Sequence, residues 1–505
     1  MRKQKHPLVE RLQIEDYAAE GKSLARQDGK VIFVEGAVPG DVADVRLTKS
    51  KRDWAEGVAT TIHQFSKDRV QPFCQHFGVC GGCQWQMLPY EKQLQYKQQQ
   101  VQDVLMRIGK IALPELRPIA GARETTFYRN KLEYTFSTRE FTVEKPEPHP
   151  DLPLRGRPPA AQPTLVQNVS DISGTLTGEF RAMASFPLGE GRDGALGFHA
   201  KGFFDKVVQI QKCWLQPEPT NAIRNFIRDY AFENNVSFYD IRQHTGFLRT
   251  MQVRICRTGE VMVNIVLAEE AEATRTQLFQ NLISRFPEVT TWLYTINTKW
   301  NDSIYDLNPV VVAGSGYVTE TLDGFSFKIG PKSFFQTNTA QAERLYQITR
   351  DFAELNGTQT VYDLYCGTGS IGIFCSRGAR KIIGVETVEA AVQDARINAE
   401  LNNIKDATFV AGDVIKICND AFFNTHGRPD VIITDPPRAG MHETLVQKIL
   451  EIEAPVVVYV SCNPATQARD LALLSQKYRV TKVQPVDMFP HTHHIENIVQ
   501  LKLNT

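Results

Sequence analysis

The segment Val361-Tyr362-Asp363-Leu364-Tyr365-Cys366-Gly367-Thr368-Gly369-Ser370 passes from a short apolar run into a pair of glycines, and a helical pattern follows. A glycine turn between strand and helix lets backbone approach a ligand at the carboxyl edge of a sheet. Alone it is a weak signal, and its surroundings give it meaning. Downstream, strand-like runs at Lys381 to Glu386, Ala407 to Asp413, Asp430 to Thr434 and Pro455 to Val460 alternate with helical stretches, the pattern of a parallel, doubly wound sheet. The change of texture falls near residue 320, so residues 321–505 are read as one α/β, Rossmann-like domain.

Glu386, Asp413 and Asp435 stand at the ends of three of these strands, which lines one edge of the sheet with carboxylates. An ionised carboxylate only accepts hydrogen bonds, so it suits ribose hydroxyls and an exocyclic amine and repels phosphate. That argues against a dinucleotide or ATP and toward S-adenosylmethionine, which has no phosphate and carries a positive sulfonium. The competing reading has the glycines serving only the turn and the acids only capping helices.

The buried-strand run Val456 to Val460 leads straight into Ser461-Cys462-Asn463-Pro464, which sets Cys462 at the same edge. A thiolate is the natural nucleophile for C6 of a pyrimidine, because attack there makes C5 an enolate-like carbon able to accept a methyl group. The C5 proton must then leave, which needs a base, and Glu496 in His493-His494-Ile495-Glu496 is the candidate. Asp435-Pro436-Pro437-Arg438 ends the preceding strand and is placed to orient the pyrimidine or the methyl donor. An inert buried cysteine is the alternative for Cys462. A metal site at His491, His493, His494 and Glu496 is disfavoured, since alternate residues of an extended segment point to opposite faces.

A chain of 505 residues implies several domains. Its 42% hydrophobic and 23% charged residues are those of an ordinary folded protein, and Lys plus Arg balances Asp plus Glu at 57 each, so any contact with nucleic acid must come from local patches. No apolar run reaches the ~18 residues of a membrane span, which leads us to expect a cytoplasmic protein. Residues 1–66 hold short β-rich runs and read as a small β-barrel, with Arg46, Lys49, Lys51 and Arg52 beside Trp54 as either an RNA-tracking surface or a solvated face. Residues 67–320 form a central region. Within it, Pro89 to Lys110 reads as a polar helix that packs on a neighbouring domain, and prolines between about 141 and 173 mark an exposed insertion. Nine cysteines in a long chain point to thiol or metal chemistry rather than a disulfide framework. Cys74, Cys80 and Cys83 lie together among glycines, and their spacing leaves zinc and iron–sulfur both open. Cys256, Cys366, Cys375 and Cys418 read as packing residues.

Lys332-Ser333-Phe334-Phe335-Gln336-Thr337-Asn338, the Asp363 to Gly369 turn, Asp435-Pro436-Pro437-Arg438, Ser461-Cys462-Asn463-Pro464 and Pro490 to Glu496 occur in the order found in the RNA uracil-5-methyltransferase family. The sequence resembles that family, specifically its 23S ribosomal RNA branch with an iron–sulfur cluster, over nearly the whole chain. The resemblance implies a class I methyltransferase domain, an N-terminal OB-like TRAM barrel and a central α+β iron–sulfur domain. It implies that Gln336, Tyr365, Glu386 and Asp435 bind S-adenosylmethionine with Asp413 near the adenine, that Cys462 is the nucleophile and that Glu496 is the base. It supplies Cys213 as a fourth ligand beside Cys74, Cys80 and Cys83, and favours a [4Fe-4S] cluster. Phe334 or Phe335 would stack on a flipped uridine. Ser370 stands where the family commonly has Asn, and the Pro-rich insertion departs from its pattern. The expected partner is 23S rRNA, engaged by a monomer; transfer RNA, a base N-methyltransferase and a non-catalytic RNA-binding protein are the alternatives.

Overall fold

The computed structural model of the protein describes residues 7–114, 116–142 and 194–504. The Pro-rich stretch lies outside the described residues from position 143 onward.

The N-terminal region is a six-stranded sheet in the spatial order Leu8–Gln13, Val42–Ser50, Trp54–Gln64, Lys30–Glu35, Ser23–Gln27, Asp16–Tyr17. Alternation along Lys30–Glu35 turns Ile32 and Val34 inward, where they meet Val45, Leu47 and Ala55 in a small core. Arg46, Lys49, Lys51 and Arg52 are exposed, and the Lys49 ammonium sits 4.8 Å from the centre of the Trp54 ring.

A second, seven-stranded sheet occupies the middle of the chain. Its order is Val310–Ala313, Thr291–Ile296, Val261–Leu267, Leu248–Ile255, Lys131–Ser137, Ala195–His199, Val207–Gln209. Helices Thr220–Glu233 and Glu272–Arg285 bury Ile223, Ile227, Leu278 and Leu282 in its core. Leu248–Ile255 and Val261–Leu267 are runs of strand length, which periodicity alone does not separate from buried helix segments.

The third sheet runs Ala407–Ala411, Lys381–Glu386, Thr360–Leu364, Val431–Thr434, Val456–Ser461, Glu496–Leu503, Tyr478–Val486. Its first five strands are parallel and covered on both faces, which is why Val456–Ser461 reads as an unbroken apolar run. Glu496–Leu503 is inserted antiparallel between Val456–Ser461 and Tyr478–Val486. This reversal departs from the parallel sheet that strand-and-helix alternation implies, and it positions the candidate base. The helix Tyr90–Arg107, far away in sequence, buries Val101 and Leu105 in the core of this sheet's domain, together with Ala468 and Leu471 of the helix Pro464–Leu474. No helix among the described residues is long and apolar enough to cross a membrane.

Candidate active site

The strand Thr360–Leu364 ends in Tyr365, which has a left-handed φ of +62°, and Gly367 and Gly369 follow at +52° and +77°. A left-handed tyrosine costs roughly 1–3 kcal/mol and persists only where its surroundings hold it. The two glycines serve different ends. A Cβ at Gly369 would fall 2.9 Å from the Phe409 ring and 3.0 Å from Ala395, so packing demands glycine; a Cβ at Gly367 would meet nothing within 4 Å, which leaves open space over the turn. Beside it the Glu386 carboxylate accepts from the Gly367 N–H at 3.2 Å, the Val388 N–H at 2.9 Å and the Thr387 hydroxyl at 3.0 Å. Asp413 caps the next helix by accepting from the Ile415 N–H at 3.0 Å, so one of its oxygens has the structural role that competes with ligand binding.

The Lys332 to Asn338 segment lies against this turn, because the Thr368 hydroxyl donates to the Phe334 carbonyl at 3.5 Å. Gln336 is fixed through its own carbonyl, which accepts from Asn130 Nδ2 at 2.9 Å. Of the two neighbouring phenylalanines, Phe335 is 3% exposed and Phe334 is 64% exposed, so only Phe334 has a free ring face. Ser370 points the other way, with its hydroxyl 3.0 Å from that of Tyr346. Asp363, at the penultimate position of the strand Thr360–Leu364, is fully buried. Its Oδ2 accepts from the Gly372 N–H at 2.8 Å, its other buried oxygen has no partner, and burial pushes the carboxyl up to about 7.

Cys462 and Glu496 are brought together by register. Ser461 pairs with Asn497 across antiparallel strands, so Cys462, which follows Ser461, faces Glu496, which precedes Asn497, at the carboxyl edge. Asp435 completes the group, at the end of Val431–Thr434. Burial pushes the Cys462 thiol up to about 11, with the Glu496 and Asp435 charges adding to the rise and Arg438 opposing it. Desolvation raises Asp435 to about 7. Glu496, 5% exposed, is held well above the usual carboxylate range by burial first and by Asp435 second. Loops around the group are tied to one another. The Arg438 carbonyl accepts from Asn463 Nδ2 at 3.1 Å and the Thr466 hydroxyl at 3.2 Å, while Arg438 Nη2 donates to the His494 ring at 3.0 Å. His494 is depressed to about 3, by burial, then His493 and Arg438, and stays neutral at physiological pH.

The cysteine segment packs on the central sheet, where Cys80 bridges to Ala200 and Val79, Cys80 and Cys83 lie against the core. Cys74, Cys80, Cys83 and Cys213 are near enough that their charges act on one another, and burial raises every thiol, Cys80 and Cys83 to about 12. Among the described residues no group of three or more His, Cys, Asp or Glu is arranged to hold a metal ion, so neither zinc nor a cluster is established here. The same holds for His491, His493, His494 and Glu496. That segment is a turn rather than the extended run expected, with His491 at a φ of +64°.

A Rossmann-like domain with an open glycine turn and carboxylates at its edge is built to hold a ligand rich in hydroxyls and free of phosphate. Residues 310–504 match the family model described as tRNA (Uracil-5-)-methyltransferase, and residues 8–60 match the TRAM domain. An uncharacterized RNA methyltransferase of Bacteroides thetaiotaomicron is 50% identical over 490 residues, spanning 96% of this chain and 100% of that protein. One from Porphyromonas gingivalis is 45% identical, spanning 98% of this chain and 100% of its own length. Among solved structures, the tRNA (uracil-54, C5)-methyltransferase of Pyrococcus abyssi, in complex with S-adenosyl-L-homocysteine, is 26% identical with a TM-score of 0.69, over 97% of this chain and 100% of that one. The chain belongs to the RNA uracil-5-methyltransferase family and is an RNA methyltransferase with an N-terminal TRAM domain.

Proposed function

We propose that the protein transfers a methyl group from S-adenosylmethionine to C5 of a uridine in RNA, with Cys462 as nucleophile and Glu496 as base. The observation that carries this reading is the strand register that sets Cys462 beside Glu496 at the edge shared with the glycine turn. An N-methyltransferase needs neither a thiol nor a base at that position. Gln336, Tyr365, Glu386, Asp413 and Asp435 are assigned to the methyl donor, with Glu386 accepting from ribose hydroxyls and Asp435 at the methyl end. The S-adenosyl-L-homocysteine bound to the Pyrococcus abyssi protein supports the choice of donor.

The reaction begins with loss of the Cys462 proton to water, which leaves Glu496 free to take a proton later in the cycle. The thiolate forms an S–C6 bond, and the electrons of the C5–C6 double bond move into the C4 carbonyl as an enolate. C5 then takes the methyl group, and the donor's sulfonium becomes a neutral thioether. Glu496, ionised, takes the C5 proton; the electrons of that C–H bond restore the double bond and expel Cys462 as thiolate. The target must leave its stack to reach the thiol, and the exposed Phe334 offers a ring for the flipped base.

We further propose that Cys74, Cys80, Cys83 and Cys213 hold a [4Fe-4S] cluster in a structural role. The support for one shared site is that these four thiols act electrostatically on one another. The cluster favours a 23S rRNA substrate; the family description and the Pyrococcus abyssi protein support transfer RNA. Labelled methyl donor supplied with either RNA, followed by nucleoside analysis, tests both parts. 5-Methyluridine in one RNA assigns the substrate, and a methylated adenine or guanine overturns the chemistry.

A further inference from the structure

The loop between the strands Tyr478–Val486 and Glu496–Leu503 begins and ends at the candidate base, because Val486 pairs with Glu496. It is held from outside the sheet by the helix Tyr90–Arg107. Asp487 is fully buried and accepts from the equally buried Lys97 ammonium at 2.7 Å and from the Tyr90 hydroxyl at 2.6 Å. One turn away, Gln93 accepts from the His491 N–H at 2.8 Å and lies 3.1 Å from the His491 ring through Nε2. That side chain is itself fixed by the Trp85 and Leu88 carbonyls, each 3.0 Å from Nε2. The cysteine segment adds a third hold, since the Gln84 and Trp85 N–H groups both donate to the His491 carbonyl, at 2.8 and 3.0 Å. The TRAM barrel supplies a fourth: Gly21 packs so tightly on His493 that a Cβ there would lie 2.9 Å from the histidine's own.

His491 is a buried non-glycine residue in the left-handed region, a conformation that survives only where neighbours over-determine it. The strand pairing on either side runs up to the ends of this loop, at Val486 and Glu496. What the holds fix is the approach of the chain to Glu496. We infer that Gln93, Lys97 and Tyr90 are positioning residues for proton abstraction: through Asp487 and His491 they set Glu496 against C5, and so tie the base step to the docked state of the N-terminal region. This rests on the mechanism proposed above, in which methyl transfer precedes use of the base.

The consequence is specific. A misplaced base leaves attack and methyl transfer intact, but the C5 proton stays, the S–C6 bond cannot break, and methylated RNA remains attached to Cys462. Single-turnover reactions of the full-length protein with ordinary uridine RNA, quenched and run under denaturing conditions, read this directly. Gln93→Leu is expected to accumulate at least about tenfold more attached RNA than wild type, while S-adenosylhomocysteine forms at a similar rate. Tyr90→Phe, which removes one hydroxyl and keeps the ring, is expected to accumulate about threefold more and serves if Gln93→Leu fails to fold. Methyl transfer and product release falling together, without attached RNA, in a folded variant of either kind overturns the inference. A 5-fluorouridine RNA with wild-type protein separates the two readings: no trapped adduct there refutes the covalent mechanism itself, and a trapped adduct with no accumulation in the variants refutes only the positioning role.

Discussion

The two halves of the site are assembled by different means. The centre of the donor half is built from residues close in sequence, a strand, a glycine turn and an acid at the end of the next strand, joined by hydrogen bonds such as Gly367 to Glu386, with Gln336, Asp413 and Asp435 assigned around it. The chemical half is built at long range, from Cys462 at the end of one strand and Glu496 at the start of an antiparallel neighbour, with the loop before it held by a helix near residue 93. A site made locally should tolerate disturbance elsewhere in the chain. One made at long range should not, and it links chemistry to the docking of distant segments.

The largest expected effect falls on the long-range half. Cys462→Ala should lower turnover by at least about a thousandfold, since the covalent route is lost, while calorimetry finds S-adenosylmethionine binding little changed. Equal loss of donor binding would erase the distinction between the halves. Glu496→Gln should lower turnover by about a hundred- to ten-thousandfold and leave methylated RNA attached to the protein. In the donor half, Asp435→Asn should weaken donor binding by roughly tenfold or more, the value of a hydrogen bond or contact involving a charged group.

Protonation sharpens the comparison. The Asp435 carboxyl is raised in the folded protein to about 7, so the neutral form is favoured by folding, and that contribution to stability is lost as pH rises from the ordinary carboxylate range through about 7. A cationic donor stabilises the ionised form. Thermal stabilisation by S-adenosylmethionine should therefore grow between pH 5 and 8 by roughly 1–3 kcal/mol, and Asp435→Asn should flatten the profile. A rise of equal size in the Asn variant would assign the effect to another group. The smallest effect belongs to the barrel: Lys49→Ala should weaken RNA binding slightly and lower the salt-dependence slope by about 1, as measured by filter binding at several ionic strengths.

Legibility in the sequence followed the same division. Glycine turn, parallel strands and end-of-strand acids could be read because each is a local pattern, and the strands from Thr360 to Ser461 lie where those patterns put them. The antiparallel return of Glu496–Leu503 left no such mark, since register is a property of two strands and the alternation rule says nothing about a terminal pair. Nor did the seven-stranded central sheet, whose strand-length runs were visible but separated by segments without a recognisable turn rhythm. Gln93 and Lys97 read as the polar face of a helix; their burial depends on a loop almost four hundred positions later in the chain, which carries Asp487 and His491. Between Phe334 and Phe335 sequence offered no choice, and exposure decided.

The central claim is the covalent role of Cys462. Wild-type protein incubated with S-adenosylmethionine and 5-fluorouridine RNA should form a complex that survives denaturation, because fluorine cannot leave as a proton does. Proteolysis and mass spectrometry should then find the nucleotide and its new methyl group on the peptide containing Cys462, with no complex from Cys462→Ala. A complex that persists in that variant, or a nucleotide attached to another residue, would contradict the account.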